Sequence, residues 1–199
     1  MRKETLGLLL VLNLAVLPTV YFLGRPNFLY GRPSALPMTS LPVFAQMPDF
    51  KMTTNDGSAF AAENMKGSVW LADFIFTRCP NQCPTMSAKF SALQSSLPPG
   101  TRLVSFTVDP EYDTVEKLKS YAESFKAEKG RWVLLTGEPA AVRRVLAGLH
   151  LGDGQDPSVH SLRFVLFDKN LRVRGYYDSE DTRSLVRIKS DIEKLKKEP

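Results

Sequence analysis

The 199 residues are 43% hydrophobic, 10% aromatic and 24% charged, values of an ordinary globular chain that exclude a disordered, collagen-like or multi-span membrane protein. The net charge of +5 is unevenly placed: residues 1–44 carry Arg2, Lys3, Arg25 and Arg32 against Glu4 alone, and the rest of the chain holds 22 basic and 20 acidic residues. The excess therefore flanks an apolar segment, no basic stripe with interleaved aromatics marks a nucleic-acid partner, and two cysteines in one tight motif exclude a disulfide-stapled mini-fold.

Leu6–Leu23 (LGLLLVLNLAVLPTVYFL) is 18 residues without a charge, long enough at about 1.5 Å per residue to cross a bilayer core. Residues 1–24 read as one membrane anchor with Arg2 and Lys3 on the cytoplasmic side and Tyr21 and Phe22 at the far interface. A cleaved signal peptide is the rival reading, but no small-x-small site follows closely. The expected location is the bacterial inner membrane, single-pass, with the C-terminal part on the periplasmic side. Residues 25–47, with Pro26, Pro33, Pro37 and Pro42, read as a semi-extended spacer. The folded domain is expected over 48–199.

Within it, Phe50–Thr53 and Ala59-Phe60 flank an Asn55-Asp56-Gly57 turn, a hairpin signal. Ser68–Thr77 is apolar enough for a strand buried on both faces. Met86, Phe90, Leu93 and Leu97 then recur at helical spacing, with Pro84 in the first turn, where its missing N–H costs nothing. Leu103–Val108 predicts a strand and Val115, Leu118, Ala122 and Phe125 a helix. Trp132–Leu135 predicts the next strand and Pro139–Leu149 the next helix. Arg163–Asp168 and Leu171–Tyr176 form a second hairpin, and Leu185, Ile188, Ile192 and Leu195 stripe a final helix opened by Glu180 and Asp181. Lys194, Lys196 and Lys197 read as its solvated end. The order β-α-β-α-β-α-β-β-α implies an α/β fold, a mixed sheet with flanking helices in the thioredoxin-like pattern, with an added N-terminal β-hairpin.

Cys79-Pro80-Asn81-Gln82-Cys83 falls between a buried strand and a helix N-terminus, where negative charge is stabilised and a thiol should ionise more readily. Three intervening residues allow chelation and permit a disulfide. Two soft thiolates suit Cu(I); an added imidazole makes a set that also holds Cu(II), and zinc would need a fourth ligand or leave a position for water. His160, in the loop before the penultimate strand, is the better-placed imidazole; His150 ends a helix stripe and reads as structural.

Three motifs resemble the Sco/SenC family, thioredoxin-like copper proteins of cytochrome c oxidase assembly. They are Phe74-Ile75-Phe76-Thr77-Arg78-Cys79-Pro80-Asn81-Gln82-Cys83-Pro84, Ser105-Phe106-Thr107-Val108-Asp109-Pro110-Glu111-Tyr112-Asp113-Thr114, and Val159-His160-Ser161. The resemblance runs from about Pro48 to Leu195. It implies Cys79, Cys83 and His160 as copper ligands, Cys79 and Cys83 as a redox dithiol, and Asp109 as a group orienting the site, where it also reads as a turn former before Pro110. Val159 stands where many relatives have aspartate, and Arg78 sits where the family varies, free to lower the thiol pKa or to face solvent. By the same resemblance, the partner is the oxidase subunit carrying the copper A centre, with other copper chaperones or thiol reductases as further partners. The expected function is delivery of copper to that centre, reduction of its cysteines, or both. Competing readings are a thiol–disulfide oxidoreductase acting on exported proteins without metal, and a copper or redox sensor. A peroxidase is discounted because the Pro-x3-Thr-x2-Cys context is missing.

Overall fold

The computed structural model describes residues 40–152 and 162–198. In chain order their elements are β1 (Ala45–Gln46), β2 (Lys51–Thr54), β3 (Ala59–Ala61), a 3-10 turn (Ala62–Met65), β4 (Val69–Ile75), α1 (Gln82–Ser96), β5 (Thr101–Thr107), α2 (Val115–Ser124), β6 (Trp132–Thr136), α3 (Pro139–Gly148), β7 (Arg163–Phe167), β8 (Arg172–Asp178) and α4 (Thr182–Lys197).

Every residue of β4 is buried, the signature of a strand covered on both faces. It sits inside one sheet of order β1-β8-β7-β4-β5-β6-β2-β3. β4, β5 and β6 run parallel, joined through α1 and α2, and β7 returns antiparallel to β4. The expected hairpin is present: β2 pairs β3 around a turn in which Gly57 takes φ +85°, and β2 also pairs β6. One face of the sheet packs Trp70, Phe74, Phe106 and Phe167 against Val142, Val145 and Leu146 of α3. The other packs Leu71, Ile75, Leu103 and Phe164 against Phe90 of α1, Leu118 of α2 and Ile188 and Ile192 of α4. This is the mixed α/β architecture that the hydrophobic periods predict.

The sheet also begins earlier than composition suggests. β1 lies between Pro42 and Pro48 and pairs with the edge of β8, so the prolines bracket a two-residue strand without interrupting it. Residues 40–199 form one compact unit. Among the described residues no helix is long and apolar enough to cross a membrane; the Leu6–Leu23 run lies outside them.

Arg174 ties the start of this unit to its end. The residue is 3% exposed. It donates to Asp168 Oδ2 at 2.8 Å, to Glu198 Oε2 at 2.7 Å and to the Leu41 carbonyl at 2.6 Å. Removing one member of a buried ion cluster leaves the others uncompensated, at about 3–5 kcal/mol. Arg174→Ala should therefore lower the unfolding free energy measured by urea denaturation by an amount in that range, and an unchanged value would show that water replaces the guanidinium.

Candidate functional site

The site is built where β4 ends and α1 begins. After Ile75 the chain leaves the sheet, and the Cys79 N–H donates to the Phe76 carbonyl at 3.2 Å to make a turn. That turn is pinned from below by Asp113, a fully buried carboxylate in the loop after β5. It accepts from the Thr77 N–H at 3.1 Å, from the Thr77 hydroxyl and from the Thr107 hydroxyl at the end of β5. One carboxylate thus fastens the cysteine loop to the neighbouring strand.

Helix α1 lacks the usual cap. Asn81, its N-cap residue, makes no side-chain bond to the first turn, and Pro84 has no N–H to offer. The Cys83 N–H donates instead to Cys79 Sγ at 3.3 Å. Burial alone would push the Cys79 thiol up. The backbone N–H and thiol of Cys83 and the N–H groups of Asn81 and Gln82 outweigh burial and hold it below its ordinary value. Cys83, inside the first helical turn and fully buried, goes the other way: burial raises it strongly, and Cys79 and Asp73 add to the rise. The two thiols are unjoined, with the more acidic one at the surface edge and the more basic one beneath.

Asp73 is the residue that sequence reasoning passed over. It lies in the middle of β4 opposite Ser105 of β5, and burial, only partly offset by that hydroxyl, raises it to about 7. The sign follows from linkage: the cost of burying its charge is absent below about pH 4 and full above about pH 7. A charge inside an otherwise apolar run was the available signal. Asp113 carried none, since only the fold brings it to Thr77.

Asp109, proposed from the sequence, is buried, and its carboxylate binds Arg78 Nε at 2.6 Å. Its own carbonyl accepts from the Tyr112 and Asp113 N–H groups, so it forms the turn as well. Arg78 gives its charge to Asp109 and lies over the Tyr112 ring, 4.9 Å from the centroid, with Lys117 on the same ring at 3.2 Å. The lowered Cys79 thiol therefore owes its shift to helix N–H groups rather than to an arginine partner. Ser87, one turn beyond Cys83, bonds the Tyr121 hydroxyl at 2.8 Å and locks α1 to α2.

His160 lies outside the described residues. Leu162, two residues on, borders a small pocket with Asn81, Gln82 and Thr85 of the cysteine loop and α1, and its carbonyl accepts from the Ser179 N–H at 3.0 Å. His150 is exposed at the end of α3, in the left-handed region at φ +56°. Among the described residues no group of three or more His, Cys, Asp or Glu side chains is placed to hold a metal ion. Cys79 and Cys83 provide two soft donors; any third comes from elsewhere.

Residues 40–197 match the SCO1/SenC family model. The SCO1 protein homolog of Bacillus subtilis is 32% identical over 160 residues, spanning 76% of this chain and 83% of that protein. A protein of Stutzerimonas stutzeri named for copper binding is 32% identical over 115 residues, 56% of this chain and 55% of that one. The solved structure of BsSco, a member of the Sco family of cytochrome c oxidase assembly proteins in which a disulfide switch was identified, superposes with a TM-score of 0.71 at 28% identity. It covers 80% of this chain and 98% of that one.

The unequal thiols give a direct expectation for reactivity. With limiting iodoacetamide at neutral pH, peptide mapping should find Cys79 modified and Cys83 protected. The Cys79 rate should persist to lower pH than that of a free thiol. Equal modification of both residues would contradict the asymmetry.

Proposed function

Because the chain belongs to the SCO1/SenC family, we propose that it carries copper on Cys79, Cys83 and His160 and serves the assembly of cytochrome c oxidase. The single observation behind this reading is the thiol pair itself: a helix-capped Cys79 above a buried Cys83 at a strand–helix junction. Leu162 beside Asn81 and Gln82 of the same loop adds support, since His160 stands only two residues, at most about 7 Å of extended chain, from it.

Two thiolates and one imidazole leave an open side through which an incoming ligand enters before an outgoing one departs, as transfer requires. The chain's own residues supply the rest. The N–H groups at the start of α1 hold the Cys79 sulfur, Asp113 fixes the loop that bears it, and Asp109 with Arg78 closes one flank. The client in this reading is the oxidase subunit with the copper A centre. Residues 1–24 act as membrane anchor and the stretch up to residue 39 as spacer, with the domain, which begins at Ser40, on the periplasmic side.

The asymmetry of the thiols favours a second use of the same pair. Cys79 attacks a client disulfide and releases one client cysteine as a thiolate. Cys83 gives up its proton and displaces the other, leaving a Cys79–Cys83 disulfide and a reduced client. Two electrons and two protons pass to the client. Bound copper and this disulfide exclude each other, because copper needs both sulfurs as thiolates and the disulfide bond removes them.

Anaerobic copper titration of residues 40–199, fully reduced, tests the reading. One copper per chain is expected, abolished in Cys83→Ala and weakened in His160→Ala. Loose binding indifferent to His160→Ala, together with ready exchange on a disulfide substrate, would replace the copper reading with the reductase one.

A further inference from the structure

The described domain is electrically polarised along its strands. β4 carries the cysteine loop at its C-terminal end. The opposite end, about 20 Å away along seven residues, gathers Lys66 before β4, Arg102 at the start of β5, Lys169 and Arg172 at the β7–β8 turn, and Lys196 and Lys197 at the end of α4. They are neighbours in space. The Gly67 N–H donates to the Lys169 carbonyl at 2.9 Å, Lys169 Nζ donates to the Lys196 carbonyl at 3.3 Å, and Lys196 Nζ to the Pro99 carbonyl beside β5.

Most acids at this end are already paired, and the exposed Glu63 and Glu193 leave the cations in excess. Asp168 binds Arg172 and Arg174, Glu198 binds Arg174, and Glu128 pairs with Arg131. At the thiol end, exposed Glu111, Glu116, Asp178 and Glu180 are interspersed with Lys117, Arg163 and Arg183. A dipole-complementing helix end accounts for Lys196 and Lys197, but not for lysines and arginines converging from β4, β5 and the β7–β8 turn.

The chain enters the domain at this same end, since the Arg174 guanidinium that holds Asp168 and Glu198 also holds the Leu41 and Pro42 carbonyls. Val43 and Phe44 follow at once, 53% and 52% exposed, two of the few large apolar side chains left in solvent. The uncharged Leu6–Leu23 run lies 17 residues before Leu41.

We propose that this basic end, with Val43 and Phe44 at its margin, is a membrane-facing surface that binds anionic lipid headgroups and turns the thiols away from the bilayer. The proposal extends the anchor reading above, because an anchor by itself specifies no orientation of the domain and a second contact selects one. Cations near an anionic surface attract it additively and lose that attraction to salt, while apolar side chains at the margin enter the interface. The thiol end, where acids and bases are interspersed, offers no comparable cationic patch, and this fixes the sense of the orientation.

The test is co-sedimentation of residues 40–199, the compact unit, with vesicles of phosphatidylglycerol and phosphatidylcholine in equal parts and with phosphatidylcholine alone. Binding to the anionic vesicles only, lost in 0.5 M salt, is expected. Lys66→Gln with Lys197→Gln, two exposed positions, should weaken it by about fivefold per charge removed. Lys117→Gln with Arg163→Gln at the thiol end should leave it unchanged. Lys169→Gln with Arg102→Gln is a second neutralising pair, and circular dichroism of each variant confirms the fold. No binding to anionic vesicles, equal binding to both compositions, or equal loss from the thiol-end pair would overturn the proposal. The assay uses neither the apolar run nor copper, so failure of the anchor or copper readings is separately visible.

Discussion

The sulfur of Cys79 stands where a capping oxygen would stand at the start of α1, and the chemistry of the site depends on that substitution. A helix leaves its first N–H groups unpaired. Here Asn81 does not satisfy them, Pro84 removes one, and the Cys83 N–H turns to the sulfur. A thiolate answers the helix end better than a thiol, so Cys79 is held below its ordinary value even though it is largely buried. The helix that acidifies Cys79 carries Cys83 into the core one turn later, where burial has the opposite effect. One strand–helix junction thus yields an outer thiol ready to react and an inner one held in reserve.

Two aspartates below the junction do different work. Asp113 is fully satisfied by Thr77 and Thr107, and its role is to hold the loop still. Asp73 has only the neighbouring Ser105 hydroxyl to answer it, and near pH 7 it divides between charged and neutral forms in an otherwise apolar core. Such a group costs stability and is found preferentially beside reactive centres. Its charge raises Cys83 further, which widens the difference between the two thiols.

Much of this was readable from the chain. Alternation, helical spacing and turn residues place the strands and helices because each element buries one continuous apolar set, and the α/β order follows from them. Cys79 and Cys83 stood out because a C-x3-C between a strand and a helix has few structural uses. Asp113 and the Arg78–Asp109 pair were not readable as contacts, since both arise from β5 lying parallel to β4 and bringing its following loop against the cysteines. β1 was hidden by the prolines around it, and the basic end by the distribution of its charges over four separate elements.

The central claim is that metal ligation and disulfide formation are alternative uses of one sulfur pair. Its most direct test is to load the reduced domain with one copper, add a thiol oxidant stepwise, and follow chelatable copper and the Cys79–Cys83 disulfide in the same samples. The account predicts copper appearing in step with the disulfide, one for one. Disulfide formation with copper still held would contradict it.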